Sequence, residues 1–338
     1  MGEVIDKESI EREEIWFDSS DGSSRIHGYI WWPKDMGPDA AAEDPWGAVE
    51  KPRGVVQVVH GMAEHLGRYG DFARFLACHG YVVCGHDHIN HAGSSQRDRW
   101  GKLPLKTGKE TMIKDVGRMR GIIHDKVPEG TPHFLFGHSM GSFVVRAYIA
   151  REGKGLAGAI ICGTGHIPPA TSSMGILACK VIAALKGEDT ISPMIEGMGV
   201  GAYSKAIKNA RTPLDWLSYN EDNVNTYIAD DASGFSFSVG GYASLMGLTR
   251  EVCDPACCVR VPPELPLLYI AGDADPVGSN GEGVRTAAKM AKEAGSREVT
   301  CTIYPNMRHE ILNETEHQKV YDDVLAWIEA HVDGPQAS

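Results

Sequence analysis

The sequence predicts an α/β fold: a mostly parallel sheet with helices on both faces, carrying one helical insertion. Three observations carry that expectation. Short apolar runs bounded by turn residues alternate with longer helical patterns through most of the 338 residues. The later runs are continuously apolar rather than alternating, as strands covered on both faces require. From about Gly163 to Pro263 no strand pattern appears, only short helical segments among many Gly, Ser and Asn. Roughly 100 residues cannot be one connection in a compact domain, where strand-to-helix links run to about 2–6.

The strand runs are Ile15–Asp18, His27–Trp32, Gly54–His60, Tyr81–Gly85, His133–Gly137, Leu156–Cys162, Pro266–Ala271 and Val299–Tyr304. A Ser/Asp/Gly cluster separates the first two, which read as a hairpin. Helical patterns fall at Tyr69–His79, Glu110–Lys126, Met140–Arg151, Gly283–Ala294 and Glu316–Val332. The expected organisation is a first core part over 1–163, a helical cap over 164–263 and a second core part over 264–338. There are no internal repeats, and the one biased tract is the Ala/Asp/Pro loop at Pro38–Pro45.

Lys and Arg number 33 against 45 Asp and Glu, a net charge of −12. That excess weighs against nucleic acid as a partner, and against anionic lipid as the main one, since both need a basic footprint. Half of it lies between Met1 and Asp21, which reads as a solvated acidic extension and says little about substrate. The N-terminus has no apolar signal core, and Gly and Pro interrupt the longest uncharged stretch, Gly155–Cys179, so a soluble cytoplasmic protein is expected. Most of the eight Cys sit in apolar runs, where a free thiol behaves as a small hydrophobe.

Gly137-His138-Ser139-Met140-Gly141 directly follows an apolar run and directly precedes a helical pattern. Such a strand–turn–helix junction forces the Ser139 hydroxyl out of a tight turn at the sheet edge. A serine hydroxyl needs a base oriented by an acid, and in this architecture they follow later strands in that chain order, acid before His. The acid candidates are Asp273 and Asp275, with Asp275 favoured because Asp273 suits a strand-end cap. The base candidate is His309, in a loop after the last strand. The His60-Gly61 turn after the Val55–Val59 run can present the Met62 N–H, which with the Met140 N–H would receive an oxyanion. His60 and His65 read as residues that hold this turn. His86, His88 and His91 approach the ligand run of di-zinc hydrolases, but Asn90 stands where an acid is needed. The Cys253, Cys257 and Cys258 cluster lacks a second pair. Neither supports a metal site, and no cofactor or metal is expected.

With these residues the chain resembles the serine α/β-hydrolases, and within them the monoacylglycerol lipase and bacterial lysophospholipase group, from about Glu14 to Val332. His60–His65 reads as H-G-x-x-E-H, followed by Arg68-Tyr69. Asp87–Ser94 follows D-x-x-G-H-G-x-S, with Asn90 and Ala92 in place of two glycines. G-H-S-M-G is unaltered, and Asp215–Ser218 and Arg308-His309-Glu310 look like bacterial members. The resemblance implies an eight-stranded α/β-hydrolase fold with a cap, Ser139 as nucleophile, Asp275 as acid, His309 as base, and Met62 and Met140 as oxyanion donors.

Met174, Leu177, Ala178, Val181 and Leu185 recur at helical spacing in the cap. That face either packs on the core or lines an acyl pocket and touches lipid surfaces. Phe235, Phe237, Tyr242 and Leu245 would extend the pocket. The expected activity is hydrolysis of fatty-acid esters, of monoacylglycerol or lysophospholipid type, through an acyl-enzyme, with a small acyl ester as the partner molecule. The alternatives are amide or peptide cleavage by the same triad and a non-catalytic binding protein. Oligomeric state is not legible.

Overall fold

The computed structural model describes residues 10–34, 36–37 and 51–332. The start of the acidic run and the Pro38–Pro45 loop lie outside the described residues. Eight strands form one sheet in the order β1-β2-β4-β3-β5-β6-β7-β8. They are β1 (Glu11–Asp18), β2 (Arg25–Trp32), β3 (Gly54–Val59), β4 (Tyr81–His86), β5 (His133–His138), β6 (Gly158–Cys162), β7 (Leu267–Gly272) and β8 (Val299–Tyr304). β1 and β2 are antiparallel and β2 runs antiparallel to β4, whereas every later neighbour pairs in parallel.

The helices are α1 (Gly70–Cys78), α2 (Gly108–His124), α3 (Met140–Glu152), α4 (Pro169–Lys186), α5 (Pro193–Met198), α6 (Val200–Ala206), α7 (Glu221–Ala229), α8 (Val239–Val252), α9 (Pro255–Cys258), α10 (Glu282–Glu293) and α11 (His317–Ala330). The two-residue period of the strands sorts the core into two faces. Val56, Val58, Phe134 and Phe136 point toward Phe72, Leu76, Tyr321 and Val324 of α1 and α11. Val55, Val59, Leu135 and Ile161 point toward Val116, Val144, Val145 and Ala287 of α2, α3 and α10. The stretch from α4 to α9 lies between β6 and β7, and α8 packs on α4 as well as on α2 and α3. Among the described residues no helix is long and apolar enough to cross a membrane.

β1 begins at Glu11, four residues before the apolar run that predicted it, and its pairing with β2 covers its whole length. Part of the acidic run is therefore a sheet edge rather than a solvated extension. The Glu13 carboxylate accepts from Trp32 Nε1 at 3.0 Å and Lys126 Nζ at 2.7 Å, and Glu14 lies 2.9 Å from His27 Nε2. Propensity lost here to partners distant in sequence.

Beneath the carboxyl end of β3 and β4, His60, His86, His88 and His91 are wholly buried, with ring centroids as close as 4.3 Å for His60 and His88. Burial holds all four below the ordinary imidazole range, His86 and His91 at about 3, and His133 is depressed likewise. An unfolded chain protonates these rings near pH 6.5, so between there and about pH 3 the native state binds fewer protons and loses stability as pH falls. His27 and His138 shift upward and act oppositely, but they are outnumbered. The urea midpoint is expected to fall between pH 7 and pH 5, and His86→Phe should reduce that slope by up to about 1.4 kcal/mol per pH unit. A midpoint that held or rose over this interval would contradict the assignment.

Candidate active site

Ser139 joins β5 to α3 with φ 53° and ψ −120°, a conformation that costs a non-glycine residue of order 1–3 kcal/mol. Packing enforces it. A Cβ on Gly141 would stand 2.0 Å from the Val59 carbonyl, and one on Gly137 would stand 2.5 Å from the Gly141 carbonyl. The turn is tied across the sheet by the Ser139 N–H donating to the Cys162 carbonyl at 3.0 Å.

β7 and β8 deliver the other two candidates. Asp275 is fully buried, and its Oδ2 lies 3.0 Å from His309 Nδ1 while Oδ1 accepts the Val277 N–H at 2.8 Å. An ionised carboxylate only accepts, so Nδ1 carries the proton and Nε2 is left as the lone-pair nitrogen. Asp273 is exposed, and its Oδ1 accepts the Asn306 N–H at 2.9 Å. That bond spans the two turns that bring Asp275 to His309, and Asp273 has no bond to the imidazole. His309 is itself buried, with its ring 5.2 Å from that of Trp216.

The His60-Gly61 turn is fixed by its histidine. His60 Nδ1 lies 2.8 Å from the Gly61 carbonyl and Nε2 accepts the His88 N–H at 2.9 Å, which requires the neutral ring that burial also favours. The Gly61 N–H donates to Glu64 Oε1 at 2.6 Å, and Ala63 follows Met62 in the left-handed region at φ 52°. Among the described residues neither the Met62 nor the Met140 N–H has a protein acceptor. Both residues line one cavity of about 110 Å³ with Ser139 and His309.

Phe235, Tyr242 and Leu245 also line this cavity, but the other candidates do not. Met174, Leu177 and Val181 are 67%, 63% and 52% exposed on the outer face of α4. The helix instead turns Ser172, Gly175 and Cys179 inward, and Gly175 leaves the room that Met246 of α8 fills. Phe237 is buried behind the wall, 6.2 Å from the Phe235 ring. The walls missed by the sequence reading include Glu196, Tyr203, Trp216 and Tyr227. A larger surface groove of about 730 Å³ lies at the opposite end of the sheet, beside Pro132 and Leu156, and holds none of these residues.

Behind the turn lies a buried charge network that the motifs contain but do not explain. Arg68 donates to Glu64 at 3.1 Å and through both Nη atoms to Glu310, the residue after His309. Asn223 of α7 bonds both partners, at 3.2 Å to Arg68 and 2.7 Å to Glu310. His138 Nδ1 lies 3.3 Å from Glu64 and Nε2 lies 3.2 Å from the His309 carbonyl. Burial pushes the Glu64 carboxyl up, but His138 and Arg68 outweigh it and hold it well below the usual range. His138 is raised in return, burial being overcome by the same carboxylate.

Residues 50–316 match the serine aminopeptidase S33 family, Hydrolase_4. The chain belongs to that family. It is an α/β-hydrolase of the monoacylglycerol lipase-like group. It is 28% identical to a monoacylglycerol lipase of Mycolicibacterium smegmatis over 86% of this chain and 92% of that one. With the human monoglyceride lipase the identity is 24%, over 84% of each chain. A thermostable carboxyl esterase of Bacillus coagulans, solved with glycerol, superposes with a TM-score of 0.83 at 28% identity, over 95% of this chain and 99% of that one.

Removing Arg68 would leave Glu310 as a buried carboxylate without a cation and Glu64 with His138 alone. Arg68→Met is expected to cost about 3–5 kcal/mol of unfolding free energy. Chemical denaturation measures this, and a loss within about 1 kcal/mol, the range of exposed pairs, would show the network to be unimportant.

Proposed function

We propose that this protein hydrolyses carboxylic esters of fatty acids through an acyl-enzyme on Ser139. That it is a carboxylic ester hydrolase rests on its likeness to monoacylglycerol lipases and carboxyl esterases over nearly its whole length. The finer reading rests on one observation: an imidazole oriented by a buried carboxylate lines the same cavity as a serine held in a strained turn. Ser139 Oγ attacks the ester carbonyl as His309 Nε2 takes its proton, and the tetrahedral oxyanion receives the Met62 and Met140 N–H groups. His309 returns the proton to the departing alcohol. It then deprotonates a water that attacks the acyl carbonyl, and the fatty acid leaves with Ser139 restored. Asp275 keeps the proton on Nδ1 and stabilises the imidazolium.

Residues 164–263 serve in this reading as a cap, with 1–163 and 264–338 forming the core. The outward Met174, Leu177, Val181 and Leu185 of α4, and the exposed Met194 and Met198 of α5, are apolar side chains suited to transient contact with lipid surfaces. Among the described residues the cavity wall includes Glu196, together with Glu64 and Glu310 whose carboxylates pair with Arg68 behind it, and no Lys or Arg. Such a lining suits an uncharged glyceryl ester better than a phosphate-bearing one. A second reading, amide cleavage beside a free ammonium, draws on the family's description and the same carboxylates.

Ser139→Ala should abolish ester turnover without lowering the melting temperature. Asp275→Asn should lower kcat by about 10³–10⁴-fold, and Asp273→Asn by no more than about threefold. The reverse ranking of the two Asp variants would show the acid to be misassigned. At equal acyl length, kcat/KM for a monoacylglycerol should exceed that for a lysophosphatidic acid by at least about tenfold, near 1.4 kcal/mol. Equal values would sink the head-group reading, and faster turnover of aminoacyl anilides would favour amide cleavage.

A further inference from the structure

The carbonyl of Ala63 is bonded by the helical stretch between β6 and β7. It accepts from the Tyr227 hydroxyl at 2.8 Å and from the Gly234 N–H at 2.9 Å. Ala63 is buried, and it is a non-glycine residue in the left-handed region, so it stays there only where its surroundings hold it. It immediately follows Met62. Tyr227 is held in turn: its ring lies under the Arg68 guanidinium at 4.7 Å, and Gly234 packs against its edge. A third tie joins the same segments, His65 Nε2 to Asp230 at 2.8 Å. The carbonyl of Leu217 accepts the Glu310 N–H at 2.7 Å, so the same stretch also touches the turn that carries His309.

We infer that Tyr227 is a positioning residue for ester cleavage. Its hydroxyl, with the Gly234 amide, fixes the Ala63 carbonyl and so holds Ala63 in the left-handed region, which sets the course of the 61–63 turn that carries the Met62 N–H. The oxyanion site is then complete only while residues 221–234 are docked on the 61–65 turn. Released from both donors, Ala63 relaxes toward the ordinary backbone regions, which re-aims the Met62–Ala63 peptide and, through the Met62 dihedrals, the preceding Gly61–Met62 peptide whose N–H enters the oxyanion site. This rests on the reading of the Met62 N–H as an oxyanion donor.

Tyr227→Phe deletes one hydrogen bond and keeps the ring under Arg68. With p-nitrophenyl butyrate, and rates expressed per site titrated with an organophosphate, kcat is expected to fall about tenfold while KM stays within about twofold, the pattern of a misaligned transition-state group. An alkyl boronic acid, whose tetrahedral adduct on the serine mimics the oxyanion, should bind more weakly by a similar factor, and inhibition by the product fatty acid should not change. A merely structural role would lower the melting temperature and the titratable fraction and leave kcat per site intact. Unchanged kcat per site, or a reduced kcat with unchanged boronate affinity, overturns the positioning role. Absence of ester turnover in the unaltered enzyme would instead remove the ester-hydrolase reading on which it stands.

Discussion

The site depends on one backbone constraint, the left-handed Ser139 at the junction of β5 and α3. Its cost of order 1–3 kcal/mol is carried by the packing of α3 against β3, where the Gly141 position lies against the Val59 carbonyl with no room for a side chain. The constraint sets the position of the serine hydroxyl relative to the sheet, and through α3 it sets the entire face that α2, α8 and α10 cover. A parallel sheet makes this possible. Its carboxyl-end turns after β3, β5, β7 and β8 converge, so residues far apart in sequence meet without any of them leaving its own turn.

Electrostatics then links those turns to one another. Arg68 sits between Glu64, which holds the Gly61 amide, and Glu310, which follows His309. Three ionised side chains are buried together, and each is affordable only because the others are present. The same guanidinium lies over Tyr227, so the network reaches from the core into the helical stretch. The geometry of the candidate site and the attachment of that stretch are thereby physically coupled.

The sheet was legible because buried parallel strands leave continuous apolar runs, and each of the eight runs lies on a strand. Ser139 was legible because its turn needs glycines at fixed offsets, and His309 because it stands in a loop after the last strand. Asp275 and Asp273 could be ranked but not separated by pattern, since only the fold decides which one faces His309. The charge network stayed hidden because Arg68 and Glu310 are 242 positions apart, a pairing that no local pattern encodes. The apolar face of α4 misled for a related reason. Periodicity marks a face but not its direction, and the Gly175 side, not the Met174 side, turned inward. The β1 edge was partly missed because its carboxylates find partners on β2 and just past the end of α2.

The chemistry of the site turns on whether Ser139, activated by His309, is the nucleophile. Peptide mapping after reaction of the folded protein with a fluorophosphonate probe tests it most directly. A single adduct is expected on Ser139, formed rapidly at neutral pH, lost on prior unfolding and strongly slowed in His309→Ala. An unlabelled protein, or an adduct on another residue, would contradict it.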